Sequence, residues 1–444
     1  MRHAYPENLA QVLRTQWDNP RGPAAHAATA DGGAPARLPD VPILEDLLSM
    51  CYQVSLLREE ERPLRFRLIL CEPARFAPEL GPPTGFHRLL FSEERRCTEN
   101  EIYRLAPALD FYRSLIGVRL EQGSEGRIWG LVHSGPRWLQ VVHGGRETYQ
   151  PLPAVLVVRV TGPGRLAVCK GLVTLATLHG GQIHGPLVDV LDSQWLPESF
   201  APVRAELWPL HTAARAQAHT PWALLQPSFP RILGQQVIRR IISLMRTLHH
   251  GGTLIFLPPE LARAVLSDNP YMTIKYPLLD EEPRQRVRTL IVSIMNALAA
   301  AYGRRVEVGK AVGWEEYMAS NDVTLARLDE ALFEVAHLIA SLSGVDGAIV
   351  LTKRFEILGF GAEILGNHDH VMTVAKALDA EGEHTEMERS EDVGTRHRSV
   401  YRLCQALPGA DVIVVSQDGT VRFVKWRKGV VTYWEQVATS VLDI

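Results

Sequence analysis

Two short segments of this 444-residue chain hold residue types that could do chemistry together. Gly394-Thr395-Arg396-His397-Arg398 places a glycine, a hydroxyl, two guanidiniums and an imidazole in five residues, just before the helical stretch Ser399–Leu407. Free N–H groups and the dipole at a helix start favour an anion. Arginine adds bidentate, charge-assisted hydrogen bonds to phosphate oxygens. The pattern suits a polyphosphate cradle or, equally, a solvated helix start with surface arginines. Asp346-Gly347-Ala348 supplies a complement. A carboxylate at a strand edge can hold a divalent cation beside phosphates. The two small residues after it allow close approach to the backbone. Taken alone, Asp346 also reads as a turn residue capping a strand.

These segments need a scaffold, and hydrophobic periodicity predicts one. Ile232, Leu233, Val237, Ile241, Leu244, Met245 and Leu248 fall on one side of a helix over 231–250. Thr253–Leu257 follows as a buried strand stopped by Pro258-Pro259. A second helix is expected from Pro283 to about Tyr302, and a third over Thr324–Leu342. The third leads through Gly344 into a strand over Val345–Leu351, with a hairpin partner at Phe355–Phe360. Residues 366–392 read as a polar loop or insertion. Asp411–Ser416 and Val421–Trp426 pair across a glycine turn. Helices alternating with strands predict an α/β domain with a mixed sheet.

The N-terminal half reads differently. Residues 18–42 are rich in Pro, Gly, Ala and Asp, and 1–37 reads as a flexible segment. A helix begins near Pro42, and Arg65–Leu70 alternates as a strand would. Leu115–Val118, Arg127–His133, Trp138–Val142, Ala154–Val160 and Arg165–Leu172 are further short apolar runs. They predict a smaller β-rich α+β domain, with Trp129 and Trp138 in its core. Six prolines over 190–230 mark a junction, giving expected domains at 38–215 and 226–444.

Composition excludes several classes. The formal net charge is −3, so nothing points to a nucleic-acid binder. The cations are uneven: 7 Lys leave 40 Arg of the 47 basic residues, so bidentate oxyanion-binding groups abound. Five scattered cysteines, none spaced C-x-x-C, fit reduced thiols. The first residues lack a signal-peptide core, and no apolar run nears the roughly 18 residues of a membrane span. A cytoplasmic protein is expected. Gly303–Lys310 misses the phosphate-loop spacing, and Gly359-Phe360-Gly361 lacks the third glycine of a dinucleotide fingerprint. His368-Asp369-His370 offers metal-ligand types or a polar loop.

Asp-Gly-Ala followed downstream by Gly-Thr-Arg-His-Arg resembles the signature pair of the diadenylate cyclase (DAC) domain family. Gly251-Gly252-Thr253-Leu254-Ile255 is similar to that family's opening Gly-rich strand, and Val412–Gln417 to the strand after the Arg-His-Arg helix. The resemblance covers about 226–444. Leu38-Pro39, Tyr52, Ser55, Glu59-Glu60, Arg62-Pro63, Arg65-Phe66 and Ile128-Trp129-Gly130-Leu131 resemble the sensor domain named DACNV, over about 38–215.

The resemblance implies that two such domains meet face to face, each holding ATP. Each 3′-hydroxyl attacks the other's α-phosphate, giving cyclic di-AMP and two pyrophosphates with Mg²⁺ or Mn²⁺. It implies that Asp346 binds metal and activates the hydroxyl, and that Gly347 and Ala348 pack on the nucleotide. Gly394 belongs to the phosphate cradle in which Thr395, Arg396, His397 and Arg398 hold phosphates, and Ser416 touches nucleotide. Two spacings are long for the family: 94 positions from Gly252 to Asp346, and 50 from Asp346 to Arg396. Base-recognition loops fall in such regions. The alternative expectation is a nucleotide-binding sensor without turnover.

Overall fold

The computed structural model describes residues 3–18, 36–76, 86–121, 125–133, 152–185, 189–248, 250–267, 269–303, 310–365, 371–417 and 419–435. The chain forms two compact units that divide between 187 and 188. The division lies before the expected boundary at 215–226, because the helices over 195–216 pack into the second core. Trp138–Val142, most of Gly303–Lys310 and His368-Asp369-His370 lie outside the described residues.

The first unit contains helices α1 (Pro6–Trp17), α2 (Val41–Ser55) and α3 (Glu99–Leu105). Its strands are β1 (Phe66–Leu70), β2 (His87–Arg96), β3 (Ser114–Glu121), β4 (Glu125–His133), β5 (Leu156–Gly162), β6 (Arg165–Lys170), β7 (Val173–His179) and β8 (Gln182–His184). They form one eight-stranded sheet in the order β8-β7-β6-β5-β1-β3-β4-β2, parallel only between β1 and β3. Alternation sorts the side chains. Phe66, Leu68, Val158, Val160 and Val168 share one apolar cluster with the helices, while Ile69, Val157, Cys169 and Trp129 share another. Residues 1–37 are therefore not a flexible segment throughout. Leu9, Ala10, Leu13 and Trp17 are buried on α1, and burying each leucine side chain stabilises by about 1.5–3 kcal/mol.

The second unit is a three-layer α/β domain. In chain order it holds α4 (Trp195–Ser199), α5 (Ala201–Ala205), α6 (Leu207–Ala216), α7 (Phe229–Thr247) and β9 (Gly252–Leu257). Next come α8 (Ala262–Ser267), β10 (Met272–Pro277), α9 (Arg286–Tyr302), α10 (Trp314–Ala319) and α11 (Val323–Ser341). β11 (Ala348–Thr352), β12 (Ile357–Ile364), β13 (Thr373–Ala377) and β14 (Thr385–Arg389) follow. The last elements are α12 (Thr395–Ala406), β15 (Asp411–Val415), β16 (Val421–Arg427) and β17 (Val430–Glu435).

Nine strands form one mixed sheet in the order β10-β12-β11-β9-β15-β16-β17-β13-β14. Strand β9 lies parallel to β11 and antiparallel to β15. These central strands are buried on both faces, which is why they read as unbroken apolar runs. Leu254, Phe256, Ile349, Leu351, Ile413 and Val415 pack with α7, α9 and α11. Ile255, Leu257, Ala348, Val350, Val412 and Val414 pack with Val400, Tyr401, Leu403 and Cys404 of α12 on the other face.

The expected polar loop at 366–392 is corrected by β13 and β14, an antiparallel hairpin that extends the sheet beyond β17. Gly359-Phe360-Gly361 lies inside strand β12, so no dinucleotide turn forms there. The five cysteines are free. Burial pushes the Cys71 and Cys97 thiols up to about 12 and raises those of Cys51 and Cys404 as well, so none of these four is a ready thiolate.

Candidate functional site

The sheet register brings the two chemical segments to one edge. Thr253 pairs with Ala348 on one side and with Val414 on the other. At about 4.8 Å per strand, that row spans about 10 Å. The start of β11, the start of β9 and the end of β15 therefore stand together. Asp346-Gly347 precedes the first, Gly251 the second, and Ser416-Gln417 follows the third.

Helix α12 reaches the same edge. A Cβ on Gly251, whose φ is +67°, would stand 2.9 Å from the Val415 carbonyl oxygen and 3.1 Å from the Gln417 nitrogen. It would also stand 3.1 Å from Arg396 Nη1. The guanidinium thus passes over a backbone position that only glycine leaves open. Arg396, Gly251 and Gln417 converge although 145 positions separate the first two.

The start of α12 is built in a way that is costly without a ligand. Its N-cap is Gly394, no side chain caps it, and its first turn holds no acidic residue. Arginines there oppose the helix dipole, an unfavourable effect of about 0.3–1 kcal/mol each. Thr395 and Arg396 are exposed, and His397 and Arg398 are half-buried. The Arg398 N–H donates to the Gly394 carbonyl, and its Nη2 donates to Thr395 Oγ1 at 3.3 Å. The first-turn N–H groups and the Arg396 guanidinium have the chemistry that suits an anion.

Asp346 is exposed at the opposite side of this edge. It lies in the field of Lys275, whose ammonium pairs with Glu363 at 2.6 Å. The hydrogen bond and charge of Glu363, with Asp346 adding to them, hold Lys275 above its ordinary range. Gly347 has a φ of +122°, and a Cβ there would stand 2.5 Å from the Gly361 carbonyl carbon on β12. Its missing side chain makes room for the neighbouring strand. Ala348 is buried in the apolar cluster beneath α12. Ser416 is half-buried, and its N–H and Oγ–H both donate to the Thr420 carbonyl, at 2.9 and 3.0 Å, closing the β15–β16 turn.

Sequence reasoning missed Lys275 and Glu363. They sit on paired strands β10 and β12, and only the register puts them beside Asp346. Among the described residues, no three His, Cys, Asp or Glu form a group that could hold a metal alone. One exposed carboxylate nevertheless suits Mg²⁺ or Mn²⁺ bound by one protein ligand, waters and substrate phosphates.

The second unit is a three-layer α/β domain with an exposed carboxylate and an uncapped helix start at one edge of its sheet. In the first unit, residues 34–133 match the family model described as probable sensor domain DACNV, covering α2 to β4. No curated protein and no solved structure matches the chain. No helix among the described residues is long and apolar enough to cross a membrane.

Proposed function

We propose that the second unit is a metal-dependent nucleotidyltransferase that condenses two ATP molecules into cyclic di-AMP and two pyrophosphates, under control of the N-terminal sensor domain. The observation that carries this reading is the convergence of Asp346, Gly251, Gln417 and Arg396 on one sheet edge. The cradle of Gly394, Thr395, Arg396, His397 and Arg398 takes the phosphates. Ser416, at the end of β15, contacts the nucleotide.

Each 3′-oxygen forms a bond to the α-phosphorus of the other ATP, and the bond to pyrophosphate breaks. Asp346 orients the hydroxyl and helps draw off its proton. A divalent cation on Asp346 would neutralise phosphate charge and acidify that hydroxyl. Arg396 and Arg398 stabilise the charge that develops on phosphate oxygens, where a preorganised donor is worth several kcal/mol. Positioning does most of the work, since no covalent enzyme intermediate is required. Cyclisation needs two domains, so self-association of the chain belongs to the proposal. Nothing in the site calls for nucleic acid or membrane, and a cytoplasmic setting suits ATP.

One observation favours a second reading, a nucleotide-binding sensor without turnover. Among the described residues Asp346 has no companion ligand set of its own. Incubation of the full chain with ATP and Mn²⁺, with products identified by mass spectrometry, separates the two. Cyclic di-AMP supports the first reading. ATP-induced thermal stabilisation without product supports the second.

A further inference from the structure

The second unit contains another concave site, at the far end of β11 from Asp346. It is a half-open concavity holding about 580 Å³ of space, part of it open solvent. Its walls are apolar: Leu196, Phe200 and Val203 from α4 and α5, Ile238 from α7, Ile291 from α9 and Phe355 from the β11–β12 turn. Phe355 is 7% exposed, with a φ of +62° that a bulky side chain seldom adopts. It stacks on Phe200 with ring centroids 5.9 Å apart. Such outliers cluster at binding sites, where the surroundings enforce them.

Five cations also line the pocket, Arg204, Arg231, Arg288, Lys353 and Arg354, and no described lining residue carries a carboxylate. The carboxylates behind them are shared. Arg288 and Arg354 both bond Glu206, at 3.2 and 2.7 Å. Lys353 and Lys425 both bond Asp411, at 2.9 and 2.5 Å. Arg204 donates to the Pro197 carbonyl at 2.8 Å, a neutral partner. Burial and the charge of Arg231 push it below its ordinary range. Positive charge therefore exceeds negative around an apolar cavity.

Gly234 is the third observation. It lies inside α7 on the pocket wall, where glycine weakens a helix relative to alanine. A Cβ there would meet no atom within 4 Å, so neither close packing nor a positive φ explains the glycine. The space it leaves belongs to the pocket.

We infer that this pocket binds a small amphiphilic anion, an aliphatic or aromatic body of medium-chain size with one carboxylate, sulfate or phosphate head held by Arg204 and Arg231. The apolar walls take the body of the ligand, and charge complementarity selects the anion. It is separate from the proposed nucleotide edge, and its test does not depend on turnover.

The test uses the full chain with three probes of equal length, octanoate, octanol and octylamine, read by calorimetry and thermal shift. Octanoate should bind at least tenfold more tightly than octylamine. Arg204→Gln with Arg231→Gln should weaken octanoate at least tenfold and leave octanol unchanged. Gly234→Leu, whose Cβ meets no atom within 4 Å and whose side chain takes up pocket space, should abolish octanoate and octanol binding while raising the unfolding temperature. Octylamine binding as tightly as octanoate, or unchanged octanoate binding to Gly234→Leu, overturns the inference.

Discussion

Gly347→Ala separates two reasons for a glycine beside the candidate carboxylate. One is room for nucleotide; the other is room for strand β12. The geometry favours the second. A φ of +122° costs a side-chain-bearing residue about 1–3 kcal/mol. The added Cβ would stand 2.5 Å from the Gly361 carbonyl carbon and 2.8 Å from the Ala362 nitrogen. Both are backbone atoms, so the sheet itself must shift, at about 1–3 kcal/mol. A loss near 4 kcal/mol lowers the unfolding temperature by about 8–16 °C for a unit of this size. Gly394→Ala is the control. Gly394 has an ordinary φ of −63°, and a Cβ there meets nothing within 4 Å. Its loss should stay near 0.5 kcal/mol, the cost of a poorer N-cap. Thermal scans of both variants, with and without ATP, make the comparison. Should Gly347→Ala melt within about 1 °C of wild type yet lose ATP stabilisation, the strand-spacing argument is refuted.

Four further outcomes are expected. Asp346→Asn should retain the wild-type unfolding temperature, because the side chain is exposed, and lose Mn²⁺-dependent product formation about 10²-fold or more. Arg396→Gln should weaken ATP binding about tenfold or more, the worth of a charge-assisted hydrogen bond, without lowering stability; titration calorimetry reads this. Asp329→Ala should destabilise by about 3–5 kcal/mol in denaturant unfolding. It removes the carboxylate paired at 2.6 Å with Arg240, a cation only 1% exposed, and an acceptor of the Tyr317 hydroxyl.

The fourth concerns pH. Burial raises the Asp379 carboxyl, but the N–H groups of His384 and Glu383 and the His384 ring outweigh it and leave it at about 2. The folded value lies below the ordinary 3.8, so its contribution is present above about pH 4 and lost as pH falls toward 2. Asp379→Asn should flatten that part of the stability profile measured by thermal scans.

Where periodicity was strong, the sequence was readable. The helix expected over 324–342 is α11 at Val323–Ser341, and the strand at 253–257 is β9 at Gly252–Leu257. The misses have physical causes. Thr385–Arg389 is an edge strand with no apolar alternation, so composition alone makes it a loop. Leu9, Leu13 and Trp17 keep helical spacing, but the Pro/Gly/Ala-rich stretch after them made the whole segment look tail-like. The strand at Val430–Glu435 follows a two-residue turn, Lys428-Gly429, whose lysine is a weaker hairpin signal than asparagine or aspartate before glycine.

The candidate site divides in the same way. Both chemical segments were visible as local residue patterns. Their meeting was not, because it depends on β9 pairing with both β11 and β15 across gaps of about 95 and 160 residues. The 40 arginines told little by number. Arg396 stands out by place, over Gly251 at an uncapped helix start.

The most direct measurement of the central claim is product analysis of the full chain with saturating ATP and Mn²⁺. Cyclic di-AMP and pyrophosphate in a 1:2 ratio, absent from Asp346→Asn, is the predicted result. ATP that binds and stabilises the chain but yields no cyclic dinucleotide, at any protein concentration that permits dimers, contradicts it.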